Sequence, residues 1–173
     1  AQDRGMDHLS AAWNLSARQF REPDMAERII HLIQQQDIDP RRLTVEITES
    51  VLMQDVAAAR EVLARLQDAG LKVVIDDFGM GYSSLGYLKL FNVDGLKIDR
   101  AFVANLPDDT RDVAILNAIL AVADELNIAV VAEGVETQGQ ADYLRGAGCQ
   151  WLQGYLFGRP VSSDEYFKLY GKL

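Results

Sequence analysis

Polar side chains recur at one end of the segments that read as buried strands in this sequence. The clearest case is VVIDDFGMGYSS, residues 73–84, where three β-branched apolar residues run directly into Asp76 and Asp77 and then into a glycine-containing loop. Comparable groups end the other strand-like segments, in chain order Asn14, Glu46, Lys97 with Asp99, Glu133 and Gln153, while Glu49 and Glu136 follow two of these ends. Carboxylate and amide oxygens without clustered His or Cys are typical ligands of Mg²⁺ or Mn²⁺ rather than of zinc.

Adjacent Asp76 and Asp77 suit a site with two metal ions. Carboxylates that converge repel one another, and an unpaired buried carboxylate is very costly, so a divalent cation would resolve the arrangement. Two ions about 3.5–4 Å apart, bridged by one carboxylate, can clamp a phosphate and activate a water for in-line attack. Lys97 would then orient the attacking water or stabilise the charge that develops on the phosphate.

Each of these residues also has a simpler structural interpretation. A single acid at a strand end is most often a solvated loop residue or a helix cap, and Asp77 could cap the turn at Gly79. Lys97 and Asp99 could form a surface ion pair that contributes only ~0–1 kcal/mol. Gln153 could be a surface amide. The recurrence of polar groups at the same end of every predicted strand favours one shared site.

The elements that must position these residues alternate between strands and helices. Strands are predicted at 11–16, 42–48, 71–76, 94–99, 128–135 and 149–155. Helices are predicted from Pro23, over 52–69, 84–91, 108–126 and 138–146, and after Ser162. Alternating strands and helices imply parallel strands joined by crossover helices, whose carboxyl ends lie at one face of the fold.

Two closures of such a sheet compete, an open doubly wound sheet and a (β/α)8 barrel. No glycine-rich dinucleotide fingerprint follows any predicted strand. Six βα units are visible, whereas a closed barrel has eight and about 250 residues. A barrel therefore implies that an N-terminal piece precedes residue 1, and the expectation is one domain over 1–173 that forms the C-terminal three-quarters of the barrel.

Composition narrows the function classes. The net charge of -9 argues against non-specific binding to nucleic acid but allows a small phosphorylated ligand bridged by metal ions. No apolar run approaches the ~18–20 residues of a membrane span, and no signal peptide is evident. Cys149 is the single cysteine, so a reducing compartment and a packed thiol are expected. His8 and His31 lie far from the acidic pattern and are expected at the surface.

Six motifs, in this order along the chain, resemble those of the EAL domain, a bacterial family of cyclic di-GMP phosphodiesterases. They are NLSARQF (14–20), VEITES (45–50), DDFGMGYSSL (76–85), LKID (96–99), AEGVET (132–137) and QGYLFGRP (153–160). The resemblance covers nearly the whole chain. It implies a (β/α)8-type barrel with one antiparallel strand, and hydrolysis of one phosphodiester bond of cyclic di-GMP to linear pGpG with two Mg²⁺ or Mn²⁺ ions.

The resemblance also implies roles for individual residues. Asn14, Glu46 and Asp76 correspond to ligands of one ion, and Asp76 as the bridge, Asp77 and Glu133 to ligands of the other. Lys97 resembles the lysine that holds the attacking water, with Asp99 beside it, and Gln153 a glutamine of the water and substrate region. Glu49 resembles the acid that anchors the loop after the aspartates, and Glu136 an acid on the substrate side. The loop 78–84, with Gly79, Met80 and Gly81, and the helix after it resemble the segment that links ligand binding to dimerisation.

The sequence departs from the family pattern in two places. The Glu-Ala-Leu signature is absent, because the strand that would carry it precedes residue 1, and with it go a metal-binding glutamate and a phosphate-binding arginine. The usual DFGTG loop reads DFGMG, so Met80 replaces a small polar residue and altered loop packing is expected. Residues 1–173 alone are therefore expected to have little activity.

The resulting expectation is a bacterial, cytoplasmic phosphodiesterase domain in second-messenger signalling and biofilm control. Its expected partners are cyclic di-GMP, a second copy through the loop 78–84 and the following helix, and upstream sensor or GGDEF-type domains that can anchor the parent protein in a membrane. The alternative is a catalytically silent cyclic di-GMP receptor that signals through partner domains. The intact ligand set favours the enzyme.

Overall fold

One parallel sheet organises the chain. The structure, a computed structural model, describes residues 9–79 and 85–170. The six strands are β1 (Ala11–Asn14), β2 (Leu43–Thr48), β3 (Lys72–Phe78), β4 (Gly95–Ile98), β5 (Ala129–Ala132) and β6 (Trp151–Leu152). All five neighbouring pairs are parallel, and the spatial order follows the chain order.

Eight α-helices follow and separate these strands in the described ranges. They are α1 (Ala17–Phe20), α2 (Met25–Gln35), α3 (Glu49–Leu52), α4 (Val56–Asp68), α5 (Leu85–Leu88), α6 (Thr110–Glu125), α7 (Gln138–Gly146) and α8 (Ser163–Tyr170). The helix predicted over 52–69 is present as α4, but its predicted start was wrong by four residues. The first helical stretch, α3, ends at Leu52, and a second helix begins after Asp55, whose carboxylate accepts a hydrogen bond from Ala58 N (3.0 Å) and caps α4.

The strand order decides between the two closures. A doubly wound sheet reverses its strand order at a switch point, whereas here β1 to β6 follow one another without reversal. The strands therefore curl into part of a (β/α)8-type barrel, and β1 and β6 are its edges in the part of the chain that the structure describes. Among those residues no helix combines the length and apolar character needed to cross a membrane.

Alternation along the strands separates the core from the inner side of the curled sheet. Val45 and Ile47 of β2 are fully buried in the same apolar cluster as Leu63 and Leu66 of α4. Because successive strand residues point to opposite sides, the residue between them, Glu46, faces the inner side of the sheet. The helices thus cover one face of the sheet, and the polar residues of the motifs lie on the other.

Candidate metal and substrate site

A bulge at the end of β3 brings two adjacent carboxylates together. Ile75 pairs with Leu96 and Phe78 with Ile98, so β3 has one more residue than β4 over this interval. Adjacent residues of a regular strand point to opposite faces, but a bulge re-aims side chains, and Asp77 adopts a φ of 52°. As a result, carboxylate oxygens of Asp76, Asp77 and Glu133 all lie within 4.8 Å of one another.

Lys97 lies at the centre of this acidic cluster. Its Nζ is 2.7 Å from Glu133 Oε1, 2.9 Å from Glu46 Oε2 and 3.4 Å from Asp76 Oδ1. The lysine is 6% exposed and Asp76 is 7% exposed. The interpretation of Lys97 and Asp99 as a surface ion pair is therefore wrong, since Lys97 is buried and pairs with carboxylates from three other strand ends.

The electrostatics of the cluster follow from burial and crowding. Burial by itself would lower the pKa of Lys97, but its hydrogen bonds to Glu133 and Glu46 outweigh that effect and raise the pKa. Burial raises the pKa of Glu133 despite the attraction of Lys97, and Asp76 and Glu46 add repulsion. Asp77 is exposed, but partial desolvation, followed by repulsion from Asp76 and Asp99, raises the pKa of its carboxyl. The cluster thus carries excess negative charge that a cation would relieve.

Strand register places Asn14 at the same end of the sheet. Asn14 is the register partner of Glu46, and Thr48 is the partner of Asp76. Paired residues of parallel strands point to the same face, so Asn14 lies on the inner side with Glu46. Backbone pairing continues past the strand, where Leu15 N donates to Glu46 O over 2.8 Å. The register thus places Asn14 beside Glu46, a member of the cluster around Lys97.

Glu49 contacts the start of the loop after the aspartates. Its Oε2 accepts a hydrogen bond from Gly79 N over 3.3 Å. Gly79 has a φ of +101°, and a Cβ there would lie 2.6 Å from Phe102 Cε2, so only glycine fits. The predicted loop residues Met80 and Gly81 lie outside the described residues.

A groove opens beside the acidic cluster. It has a volume of about 350 Å³, and its lining comprises Asp77, Asp99, Arg100, Glu133, Gly134, Glu136, Gln153, Gly154 and Tyr155. Asp99 also caps the turn after β4, since its Oδ1 accepts from Ala101 N over 2.8 Å. Gln153 is exposed at the end of β6. The structure thus brings Asp99, Glu136 and Gln153 to this groove rather than into contact with Lys97.

Sequence reasoning missed Gln140, a buried side chain that fixes one wall of the groove. Gln140 is 5% exposed, and its Oε1 accepts from Glu136 N (2.8 Å) and Thr137 N (2.9 Å). Its Nε2 donates to Ala104 O over 3.1 Å, which ties the loop of Glu136 to the turn after β4. The available signal was Thr137 followed three residues later by Gln140, a capping box at the start of α7.

Comparisons with known proteins agree with this geometry. The profile of the EAL domain family matches residues 1–160. The bifunctional diguanylate cyclase/cyclic di-GMP phosphodiesterase MucR of Pseudomonas aeruginosa is 42% identical over 163 residues, which are 94% of this chain and 24% of MucR. The cyclic di-GMP phosphodiesterase NbdA of the same organism is 38% identical over 96% of this chain and 22% of its own length. The chain thus spans about a quarter of these relatives.

Solved structures show the same fold. A complex of the MucR phosphodiesterase with cyclic di-GMP has a TM-score of 0.90 at 41% identity and covers 95% of this chain and 67% of its own. Klebsiella pneumoniae BlrP1 with manganese and cyclic di-GMP has a TM-score of 0.85 at 32% identity, covering 92% of this chain and 41% of its own. Its calcium complex has a TM-score of 0.84 at 33% identity, covering 92% and 40%.

Proposed function

Because this chain belongs to the EAL domain family, we propose that the protein hydrolyses one phosphodiester bond of cyclic di-GMP to give linear pGpG. The observation that carries the proposal is the convergence of Asp76, Asp77 and Glu133, with oxygens within 4.8 Å of one another, beside a groove of about 350 Å³. The names of MucR and NbdA state a cyclic di-GMP phosphodiesterase activity for relatives that share 42% and 38% identity.

The donor set fits two hard divalent cations, Mg²⁺ or Mn²⁺. Asp76, Asp77 and Glu133 would hold one ion, and Asn14, Glu46 and Asp76 the other, so that Asp76 would contribute to both sites. All of these donors are oxygens, which these ions prefer. Ions bound there would lower the pKa of a bound water and polarise the scissile phosphate. The manganese complex of BlrP1 supports the choice of ion.

Lys97 would keep its charge and orient the attacking water. Its raised pKa keeps the ammonium protonated at neutral pH, so it acts as a hydrogen-bond donor and not as a base. Three carboxylates hold the ammonium of Lys97 among the metal-binding acids. The scissile phosphate would lie at the same place. Asp99 and Gln153 would hold water and substrate in the groove, and Glu136 would face the substrate.

The loop anchor gives this site a route to regulation. The hydrogen bond from Gly79 N to Glu49 joins the loop after the aspartates to α3, so rearrangement of Asp76 and Asp77 would reach the loop 78–84 and α5. We assign homodimerisation to this segment. We also propose that this phosphodiesterase domain works in a cytoplasmic signalling protein together with sensor or GGDEF-type domains, as the bifunctional name of MucR suggests.

The test is turnover of cyclic di-GMP by the full-length protein with Mg²⁺ or Mn²⁺, followed by chromatography of the nucleotides. We expect pGpG as the product, no product in EDTA, and at least 100-fold less in Asp76→Asn, which loses the bridging charge. Binding of cyclic di-GMP without metal-dependent hydrolysis would contradict the proposal and identify a receptor.

A further inference from the structure

The groove beside the metal-binding acids is also lined by Arg100, a positively charged residue to which the proposed function assigns no role. Four carboxylates line this groove, those of Asp77, Asp99, Glu133 and Glu136. A second groove of about 480 Å³ adjoins it and shares Asp99, Arg100, Gly134 and Glu136 with it. Among the described residues that line either groove, Arg100 is the only one with a positively charged side chain.

We propose that Arg100 binds the phosphodiester of cyclic di-GMP that is not cleaved, an inference that rests on the proposed function. The substrate carries two phosphodiesters, each with one negative charge. While one lies at the acidic cluster with its metal ions, the other must lie along a groove lined by further carboxylates. Like charges in a partly enclosed groove repel, so that second phosphate requires a cation.

The guanidinium of Arg100 is available for this contact. Arg100 is exposed, and no carboxylate of the described residues lies within ion-pair distance of it, whereas Arg41 and Arg65 each pair with an acid. A guanidinium presents a planar fork of N–H donors that matches two phosphate oxygens, which a lysine does not reproduce.

Contacts on two sides fix the backbone of Arg100. The guanidinium therefore extends from a rigid part of the chain. Gly134 has a φ of +69°, and a Cβ there would lie 3.2 Å from Arg100 Cα and in severe clash with Arg100 Cβ. The side-chain stem thus rests directly on the glycine. Arg100 O accepts hydrogen bonds from Val103 N (3.0 Å) and Ala104 N (2.9 Å), and Gln140 in turn holds Ala104 O. Because this backbone is already fixed, less conformational entropy is lost when Arg100 binds a ligand.

The experiment measures the affinity of the full-length protein for cyclic di-GMP by calorimetry in Ca²⁺, and turnover in Mn²⁺. Arg100→Gln should weaken binding about 10- to 100-fold, the effect of losing a hydrogen-bonded charge pair, and Arg100→Lys should weaken it less. KM should rise with little change in kcat, because the contact is made equally in the ground and transition states. Arg111→Gln removes the same charge from the exposed start of α6, outside both grooves, and should change neither quantity.

The salt dependence of the affinity distinguishes a contact with the phosphate from a contact with a guanine of cyclic di-GMP. If Arg100 pairs with phosphate, the affinity of Arg100→Gln should fall less steeply with salt than that of the unsubstituted protein. An unchanged affinity, a weaker affinity with an unchanged salt slope, or a loss of kcat alone would each overturn the assignment. Absence of cyclic di-GMP binding in the unsubstituted protein would instead overturn the proposed function, and this inference with it.

Discussion

Lys97 Nζ lies 2.7 Å from Glu133 Oε1, and this contact ties the end of β4 to the residue that follows β5. The same ammonium reaches Glu46 in β2 and Asp76 in β3, so one lysine balances acids in or directly after three other strands. Neutralising charge is also what divalent ions would do here. The acidic ends of the strands can therefore stay together before metal binds.

Lys97→Met should destabilise the metal-free protein. The lysine side chain is 7% exposed, and its loss leaves buried carboxylates without a partner, which typically costs about 3–5 kcal/mol. Urea unfolding in EDTA measures this loss, and Mn²⁺ should restore part of it by neutralising the same acids. Lys72→Met, at an exposed position at the start of β3, serves as the control and should change the free energy of unfolding by less than ~0.5 kcal/mol.

The raised pKa of Lys97 gives this prediction a pH signature. A raised lysine pKa contributes stability that is complete below the ordinary value of about 10.4 and is lost as pH rises through the folded-state pKa. In EDTA, the unsubstituted protein should therefore lose stability above about pH 10.4 more steeply than Lys97→Met does. Parallel pH dependence of the two proteins would contradict the ion-pair assignment.

Asp77→Asn should stabilise the metal-free protein at neutral pH. Partial desolvation and the charges of Asp76 and Asp99 raise the pKa of the exposed Asp77, so its ionised form costs folding free energy, and that cost is lost as pH falls from the raised pKa to the ordinary value. Asparagine tolerates the φ of 52° at this position, so the backbone can stay as it is. Thermal unfolding in EDTA should show a higher Tm at pH 7 that converges with the unsubstituted protein near pH 4. Added Mn²⁺ should stabilise the variant less than it stabilises the unsubstituted protein.

The positions of the polar residues at the strand ends were predictable. They depend on the alternation of apolar and polar residues and on the direction of each strand, which are local properties of the sequence. The pattern placed Asp76 near the carboxyl end of β3 and Glu133 directly after β5. The apolar neighbours of Cys149 predicted its burial, and this residue is 6% exposed. It could not predict the bulge at Asp77, because a bulge is a mismatch between two strands that are distant in sequence. The interruption at Met53–Asp55 was missed because the cap at Asp55 competes with a helical pattern that continues on both sides.

Glu49→Ala should release the amide of Gly79. The hydrogen bond from Gly79 N to Glu49 Oε2 is charge-assisted, a class that contributes about 1.5–3 kcal/mol. Hydrogen exchange at Gly79 should therefore become up to about 100-fold faster. Glu61→Ala removes an exposed acid from α4 and should leave this exchange rate unchanged. Equal exchange rates in Glu49→Ala and the unsubstituted protein would show that the carboxylate does not hold the loop.

Gln140→Ala should destabilise the wall of the groove that carries Glu136. The substitution removes a buried amide that accepts from Glu136 N and Thr137 N and donates to Ala104 O, at a cost of about 1–3 kcal/mol. Urea unfolding measures the loss. Gln138→Ala, which removes an exposed pair with Asp142 one turn away, should cost about 0.2–0.5 kcal/mol. Similar losses in both variants would contradict the structural role of the buried amide.

Gly134→Ala should lower both stability and affinity for cyclic di-GMP. A Cβ at Gly134 meets the Cβ of Arg100, and the φ of +69° is unfavourable for alanine, so about 1–3 kcal/mol of strain is expected. Relief of the clash would shift Arg100 and the turn that begins with it. Gly139→Ala is the matched control, because a Cβ there meets nothing within 4 Å and lies in the first turn of α7, where alanine is the better helix former by about 0.5–1 kcal/mol. Calorimetry should show weaker binding of cyclic di-GMP for Gly134→Ala only. If Gly134→Ala is destabilised but binds with normal affinity, the packing of this glycine does not contribute to ligand recognition, and the prediction is contradicted.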